Sequence, residues 1–236
     1  CQCRSQRQRA RRRRFRPYRG AVSAAIRPPR PRRAALPGVL LAAGASRRMG
    51  CCKLTLPLNG VPLVAHALAA ARAVLEPVVV VLGPEASSEL FRAVTPRLRA
   101  NEEPLQLVSA SRAPLGQAES LKAGLARVLE LDPEAPGVMV LLGDQPLVSA
   151  DLVRVLADSF LTGGEAACVA PVCGERRGNP VVLHRDLFSA VLRLEGDVGA
   201  RELLANFPLR LVPWNDTCLA DADTPELYAR LVQRCS

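Results

Sequence analysis

GVLLAAGASRRMGCCK, residues Gly38 to Lys53, is the stretch on which the fold turns. Val39, Leu40 and Leu41 form a continuous apolar run, as expected for a strand that a parallel sheet buries on both faces. Ala42, Ala43 and Gly44 then remove side-chain bulk where that strand should end. Backbone N–H groups in such a loop can approach an anion closely and form a concave nest of donors. Arg48 and Lys53 supply positive charge. Lysine is scarce, with only Lys53 and Lys122 among 32 basic residues, so an ammonium here favours a compact point charge for a phosphate. The spacing is neither the dinucleotide fingerprint GxGxxG nor the GxxxxGK[ST] loop, because Gly50 is followed by Cys51, Cys52 and then Lys53. Taken alone, a tight strand-to-helix turn with solvated arginines reads the same way.

Outward from this loop, apolar strand-like runs at 38–43, 77–83, 105–110, 137–143, 166–172, 179–184 and 209–214 alternate with helical patterns. The alternation predicts a doubly wound, mostly parallel, Rossmann-like α/β sheet in a single domain. Pro62 to Leu75 is rich in Ala and Leu and reads as helix, with Pro62 in its first turn. Ser149 reads as the N-cap of a helix over 150–160, and Thr224, before Pro225 and Glu226, starts the last helix. In such sheets ligands lie beyond the carboxyl ends of the strands, so the loops at Gly44 and Asp144 are expected to share one crevice. The segment ERRGNP, 175–180, reads as a turn between two strands projecting over that crevice. His66 and His184 read as structural and Trp214 as packing.

Length and charge set bounds on this picture. At 236 residues the chain suits one α/β domain of about 200 residues plus an extension. The net charge of +10 is not spread evenly: residues 1–35 hold 13 arginines and no acid, leaving 19 basic against 22 acidic residues, a net of −3, in 36–236. That tail is rich in Arg, Pro and Gln, lacks apolar periodicity and is expected to be disordered. Three readings of it stay open: an arm for nucleic acid or an anionic surface, an import peptide, and translated upstream sequence with the start near Leu36. No nucleic-acid partner is expected for 36–236 itself. Eight cysteines show no CxxC or Cys/His zinc spacing, and no run reaches the roughly 18 apolar residues of a membrane span, so a cytoplasmic protein is expected.

The segment LAAGASRRMGCCK resembles the signature LAAGxSxRMGxxK of the MobA-like nucleotidyltransferases, and within them the molybdenum cofactor cytidylyltransferase branch. Further blocks follow in the same order: GQAESL (116–121), LLGDQPLV (141–148), RGNPVVL (177–183), GDVGARELL (196–204) and DADTPELY (221–228). The resemblance covers residue 37 to the end and implies the nucleotidyltransferase form of the α/β sheet. It implies transfer of a nucleotidyl group, CMP from CTP, to the terminal phosphate of molybdopterin cofactor, with release of pyrophosphate and with Mg²⁺ as cofactor. A molybdenum hydroxylase would be the client. CTP rather than GTP follows from Ala42 and Ala43, since the guanylyl branch reads LAGG where this chain reads LAAG.

On the same basis Arg48, Lys53 and Asp144 are the expected catalytic residues. Leu41, Ala42, Ala43, Gly44, Ser46, Arg48, Lys53, Arg112, Gly116, Gln117 and Ser120 are expected to line the nucleotide. Gly178, Asn179 and Asp197, with Arg177 beside them, are expected at the acceptor. Asp144 and Asp223 are the expected metal ligands, with Asp221 as the alternative to Asp223. A carboxylate after a buried strand suits Mg²⁺, which is commonly held by one or two carboxylates plus substrate phosphates. Two competing readings remain: an enzyme using GTP or another phosphorylated acceptor such as a sugar phosphate, and a non-catalytic nucleic-acid-binding or chaperone protein.

Overall fold

The computed structural model describes residues 36–235 apart from 45, 47–48, 85, 87, 96–104, 165, 197–198 and 201–206. The expected tail, residues 1–35, therefore lies outside the described residues. Among the described residues the main sheet has eight strands. Four of its strands are β1 (Gly38–Ala42), β4 (Val78–Leu82), β5 (Gln106–Ser109) and β6 (Gly137–Leu142). The other four are β7 (Cys168–Cys173), β8 (Arg176–Arg177), β9 (Val181–His184) and β10 (Leu209–Pro213). The order is β10-β7-β9-β6-β1-β4-β5, with β8 paired to β7. Strands β2 (Pro57–Leu58) and β3 (Val61–Pro62) form a separate hairpin.

β1 is buried along its whole length and runs parallel to both β4 and β6. Its alternate side chains feed two cores. Leu40 joins Val80, Met139 and Leu141 on one face, under α1 (Leu63–Arg72) and α4 (Ala150–Thr162). Val39 and Leu41 join Val79, Val81 and Val140 on the other, under α3 (Gln117–Leu131). Burial on both faces explains why these strands read as unbroken apolar runs. The Ser149 hydroxyl accepts from the Leu152 N–H at the start of α4. Thr224 Oγ1 likewise accepts from the Leu227 N–H at the start of α6 (Pro225–Cys235), so both expected caps are formed. No helix among the described residues is long and apolar enough to cross a membrane.

The sheet is mostly parallel, as expected, and its antiparallel strands are β8, against β7, and β9. β9 runs antiparallel to both β6 and β7. The seven residues between β7 and β9 are too few for the crossover of a dozen or more residues that a parallel neighbour needs. They instead fold back through β8 and a cis Asn179–Pro180 bond.

Strand direction fixes where the site lies. β1, β4, β5 and β6 are mutually parallel, and β7 and β10 point the same way. The segments after all six strands, together with 174–180 ahead of β9, therefore converge on one edge. The chain builds outward from β1 through β4 to β5, then returns to add β6 on the other side of β1. Between β1 and β6 the connections leave in opposite directions, which opens a crevice at the carboxyl edge.

Candidate active site

Lys53 follows β1 and Asp144 follows β6, so the two flank that crevice. The Lys53 Nζ donates to Asp144 Oδ2 at 2.5 Å and to Asp223 Oδ1 at 2.6 Å. Its side chain is only 11 % exposed, against 16 % for Asp144 and 46 % for Asp223. A buried ammonium is stable only with such partners. Burial acts to lower its pKa, but the charges and hydrogen bonds of Asp144 and Asp223 outweigh it, so the group is held above its ordinary value. Lys53 is therefore cationic throughout the neutral range.

Three backbone features hold this centre in register. Lys53 opens a short 3-10 turn, Lys53–Thr55, and its N–H donates to the Ser46 hydroxyl at 3.2 Å, closing the loop that began at Gly44. Ser46 itself sits at φ 49°, in the left-handed region. A β-carbon on Gly143 would stand 3.2 Å from the Leu41 carbonyl oxygen and 3.3 Å from both Leu54 and Val64, so glycine lets β1 and β6 end side by side. The Ala222 N–H donates to the Asp144 carbonyl at 3.1 Å, which brings Asp221 and Asp223 against the β6 loop across a separation of 78 residues. The Asp221 carboxyl is pushed up, first by burial and then by the charges of Asp223 and Asp144.

Three carboxylates around one ammonium leave the centre short of positive charge, and this donor set fits a divalent cation. Among the described residues no three His, Cys, Asp or Glu side chains form a complete metal-binding group. Such an ion would draw the rest of its shell from phosphate oxygens and water.

Beside the centre lies a cavity of about 390 Å³ lined by Gln145, Arg176, Arg177, Gly178, Asn179, Cys218, Leu219 and Asp221. Its walls are the β8 segment and the loop after β10, stitched by the Asn179 N–H donating to the Cys218 carbonyl at 3.0 Å. Gly178 is required for that approach, because a β-carbon there would fall 2.5 Å from the Cys218 carbonyl oxygen and 2.7 Å from its sulfur. Gly178→Ala must displace backbone, and we expect it to lower stability by about 1 to 3 kcal/mol in chemical denaturation. Burial first, and then the neighbouring Cys173, raises the Cys218 thiol above its usual pKa, so it stays protonated at neutral pH and is no nucleophile.

The expected nucleotide residues fall into two groups. Leu41 and Ala42 end β1 itself, and Ala43, Gly44, Ser46 and Lys53 follow it. Arg112, Gly116, Gln117 and Ser120 gather at the start of α3, beyond β5 on the same edge. There Arg112 pairs with Glu119 at 3.3 Å, and buried Ser120 lies on the inner side of the helix. The Ala118 N–H donates to the Gly196 carbonyl, so Gly196 lies against the start of α3. Arg48 and Asp197 lie outside the described residues. The sequence reading passed over Gln145 and Cys218; Gln145 stood inside the quoted GDQP block, flagged by its position next to Asp144. His66 has a structural contact, its Nε2 lying 3.0 Å from the Leu58 carbonyl.

Comparison with known proteins gives the family. Residues 38–213 match the MobA-like NTP transferase domain. The chain is similar to purine catabolism protein PucB of Bacillus subtilis, 32 % identical over 200 residues, covering 81 % of this chain and 93 % of PucB. It is also similar to nicotine blue oxidoreductase of Paenarthrobacter nicotinovorans, 33 % identical over 208 residues, covering 83 % of this chain and 95 % of that protein. Among solved structures, the manganese complex of Rv0371c from Mycobacterium tuberculosis superposes with a TM-score of 0.67 at 27 % identity, covering 84 % of this chain and 98 % of that one. With the family domain matched over 38–213 and two relatives above 30 % identity covered almost end to end, the chain belongs to the MobA-like NTP transferases and is a nucleotidyltransferase.

Proposed function

We propose that this nucleotidyltransferase moves CMP from CTP onto the terminal phosphate of molybdopterin cofactor, in the cytoplasm, for a molybdenum hydroxylase client. The observation that carries the reading is the Lys53 ammonium between Asp144 and Asp223, next to a polar cavity large enough for a second substrate. The attacking oxygen belongs to the acceptor phosphate, so the protein supplies no nucleophile. Its task is to align that oxygen with the α-phosphorus and neutralise charge on the phosphates.

In this reading the 43–53 loop cradles the triphosphate, with Lys53 and Arg48 presenting positive charge to it. Ser46 fixes the backbone from which Lys53 projects. Arg112, Gly116, Gln117 and Ser120 border the base and ribose. Gly178 and Asn179 shape the acceptor cavity, and Asp197 joins them. Asp144 and Asp223 are the residues that would hold Mg²⁺ or Mn²⁺, which when bound supplies charge neutralisation at the phosphates. The manganese bound to the similar Rv0371c structure supports a divalent ion of this kind. CTP is favoured over GTP by the LAAG form of the loop.

Pyrophosphate release across the four nucleoside triphosphates, with Mg²⁺ or Mn²⁺ and with or without molybdopterin, tests the proposal. The expected result is release that needs CTP, a divalent cation and molybdopterin together. Release with GTP, or with a hexose 1-phosphate in place of molybdopterin, would reassign the substrates within the same enzyme class. Removing residues 1–35 should leave this activity intact, and a chain whose function resided in the basic arm would lose it.

A further inference from the structure

Lys53 bonds two carboxylates from distant parts of the chain, Asp144 Oδ2 at 2.5 Å and Asp223 Oδ1 at 2.6 Å, and its side chain is nearly enclosed. The same two residues are those that would hold the divalent ion. Mg²⁺ takes its oxygen ligands at about 2.1 Å, closer than any hydrogen bond. An ion bonded to these two oxygens and the ammonium that now bonds them therefore cannot share the space, and two cations side by side in so enclosed a site repel strongly.

The backbone beneath Lys53 is fixed, whereas its side chain can move. The Lys53 N–H donates to the Ser46 hydroxyl at 3.2 Å, its carbonyl accepts from the Leu56 N–H at 3.1 Å, and the Thr55 hydroxyl donates to the Cys52 carbonyl at 2.9 Å. A lysine side chain is a flexible four-carbon stem with rotatable donors, so it can leave the carboxylates while this turn stays in place.

We infer that the Lys53 ammonium holds the place of the divalent ion between Asp144 and Asp223, and that loading the ion displaces it and frees it for the triphosphate. The inference rests on the metal assignment proposed above. It also couples the two ligands. An ion that arrives alone must expel the ammonium without offering it a new partner, whereas an ion that arrives with a triphosphate brings the anion that receives it. Each ligand then tightens the other by the same factor.

The movement can be read on the wild type, because the chain has only two lysines and Lys122, paired with Glu119 at 2.9 Å on α3, serves as an internal reference. In brief acetylation with acetic anhydride, followed by peptide mass spectrometry, Lys53 should react about tenfold more slowly than Lys122 when no ion is present, since its two carboxylates hold the amine charged and covered. Saturating Mg²⁺ should raise the Lys53 rate about tenfold and leave Lys122 within about twofold. Mn²⁺ binding without nucleotide, followed by the electron paramagnetic resonance signal of the free ion, should be about tenfold tighter in Lys53→Met than in wild type, and the double variant Lys53→Met, Asp144→Asn should lose it. Lys53 acetylation that Mg²⁺ leaves unchanged would overturn the inference even if Lys53→Met bound Mn²⁺ more tightly, because simple repulsion between ammonium and ion would explain that gain. Loss of Mn²⁺ in the double variant would then leave the metal assignment standing. Failure of wild type and Lys53→Met alike to bind Mn²⁺ would reject that assignment and the inference with it.

Discussion

Lys53→Ala should lower nucleotidyl transfer about 100- to 1,000-fold, the usual effect of deleting one preorganised charge donor from a reacting phosphate or oxyanion. The loss belongs in kcat more than in the nucleotide KM if the ammonium bears mainly on the charge that develops during transfer. The structure adds a second consequence. Lys53 is buried and links two carboxylates, so its removal leaves Asp144 and Asp223 facing each other with no cation between them. The variant should therefore melt earlier than wild type, and Mg²⁺ or Mn²⁺ should return more stability to it than to wild type. Thermal denaturation with and without the ion reads this directly. Lys53→Arg should not rescue turnover, because a planar guanidinium does not fit where a compact ammonium is enclosed. Full turnover by Lys53→Ala would remove the residue from the reaction.

Asp144→Asn should be as damaging, for a different reason. The carboxamide keeps the shape but discards one of the two carboxylates proposed to hold the divalent ion, so the Mg²⁺ or Mn²⁺ concentration needed for half-maximal activity should rise at least tenfold. It also changes Lys53. In wild type, burial pulls the ammonium pKa down, and Asp144 is the strongest single influence holding it up. Without that charge the balance tips toward burial, so the Lys53 pKa should fall. A raised pKa keeps a lysine charged until the pH passes above it; a lowered one lets the charge drop out nearer neutrality. Residual activity of Asp144→Asn should therefore decline with rising pH at values where wild type is flat. A pH–rate profile with saturating metal tests this, and coincident profiles would mean that the two groups do not share one electrostatic centre.

Much of the architecture could be read from the chain because its central strands are buried on both faces and so show as plain apolar runs. All seven runs became strands with ends shifted by one or two residues, and the capping signals at Ser149 and Thr224 marked real helix starts. What a run such as Val181–Leu183 cannot encode is direction: the same side chains serve a parallel or an antiparallel neighbour, and only the short β7–β9 link reveals which. The hairpin of β2 and β3 was missed although its signal was present. Asn59 and Gly60 lie between two apolar pairs, with φ of 51° and 73°, as a two-residue hairpin turn demands.

The site was legible in part. A lysine after β1 and an aspartate after β6 were placed by the sheet order, which brings strands 100 residues apart into contact. Asp223 could be connected to them only by resemblance, since nothing local in DADTPE tells a helix cap from a metal ligand. Gln145, whose buried side-chain oxygen has no partner among the described residues, was marked in the sequence only by its place next to Asp144, because an orphaned carbonyl is a property of its three-dimensional surroundings.

The bond from the Ala222 N–H to the Asp144 carbonyl means that the acidic centre is finished by a segment that follows β10, long after β6 in chain order. During synthesis the sheet from β1 to β6 can assemble while residues 221–223 are still inside the ribosome. A chain that has completed β1 to β6 but not yet residues 221–223 thus has Lys53 and Asp144 in place without Asp223, and its buried ammonium lacks one of its two carboxylate partners.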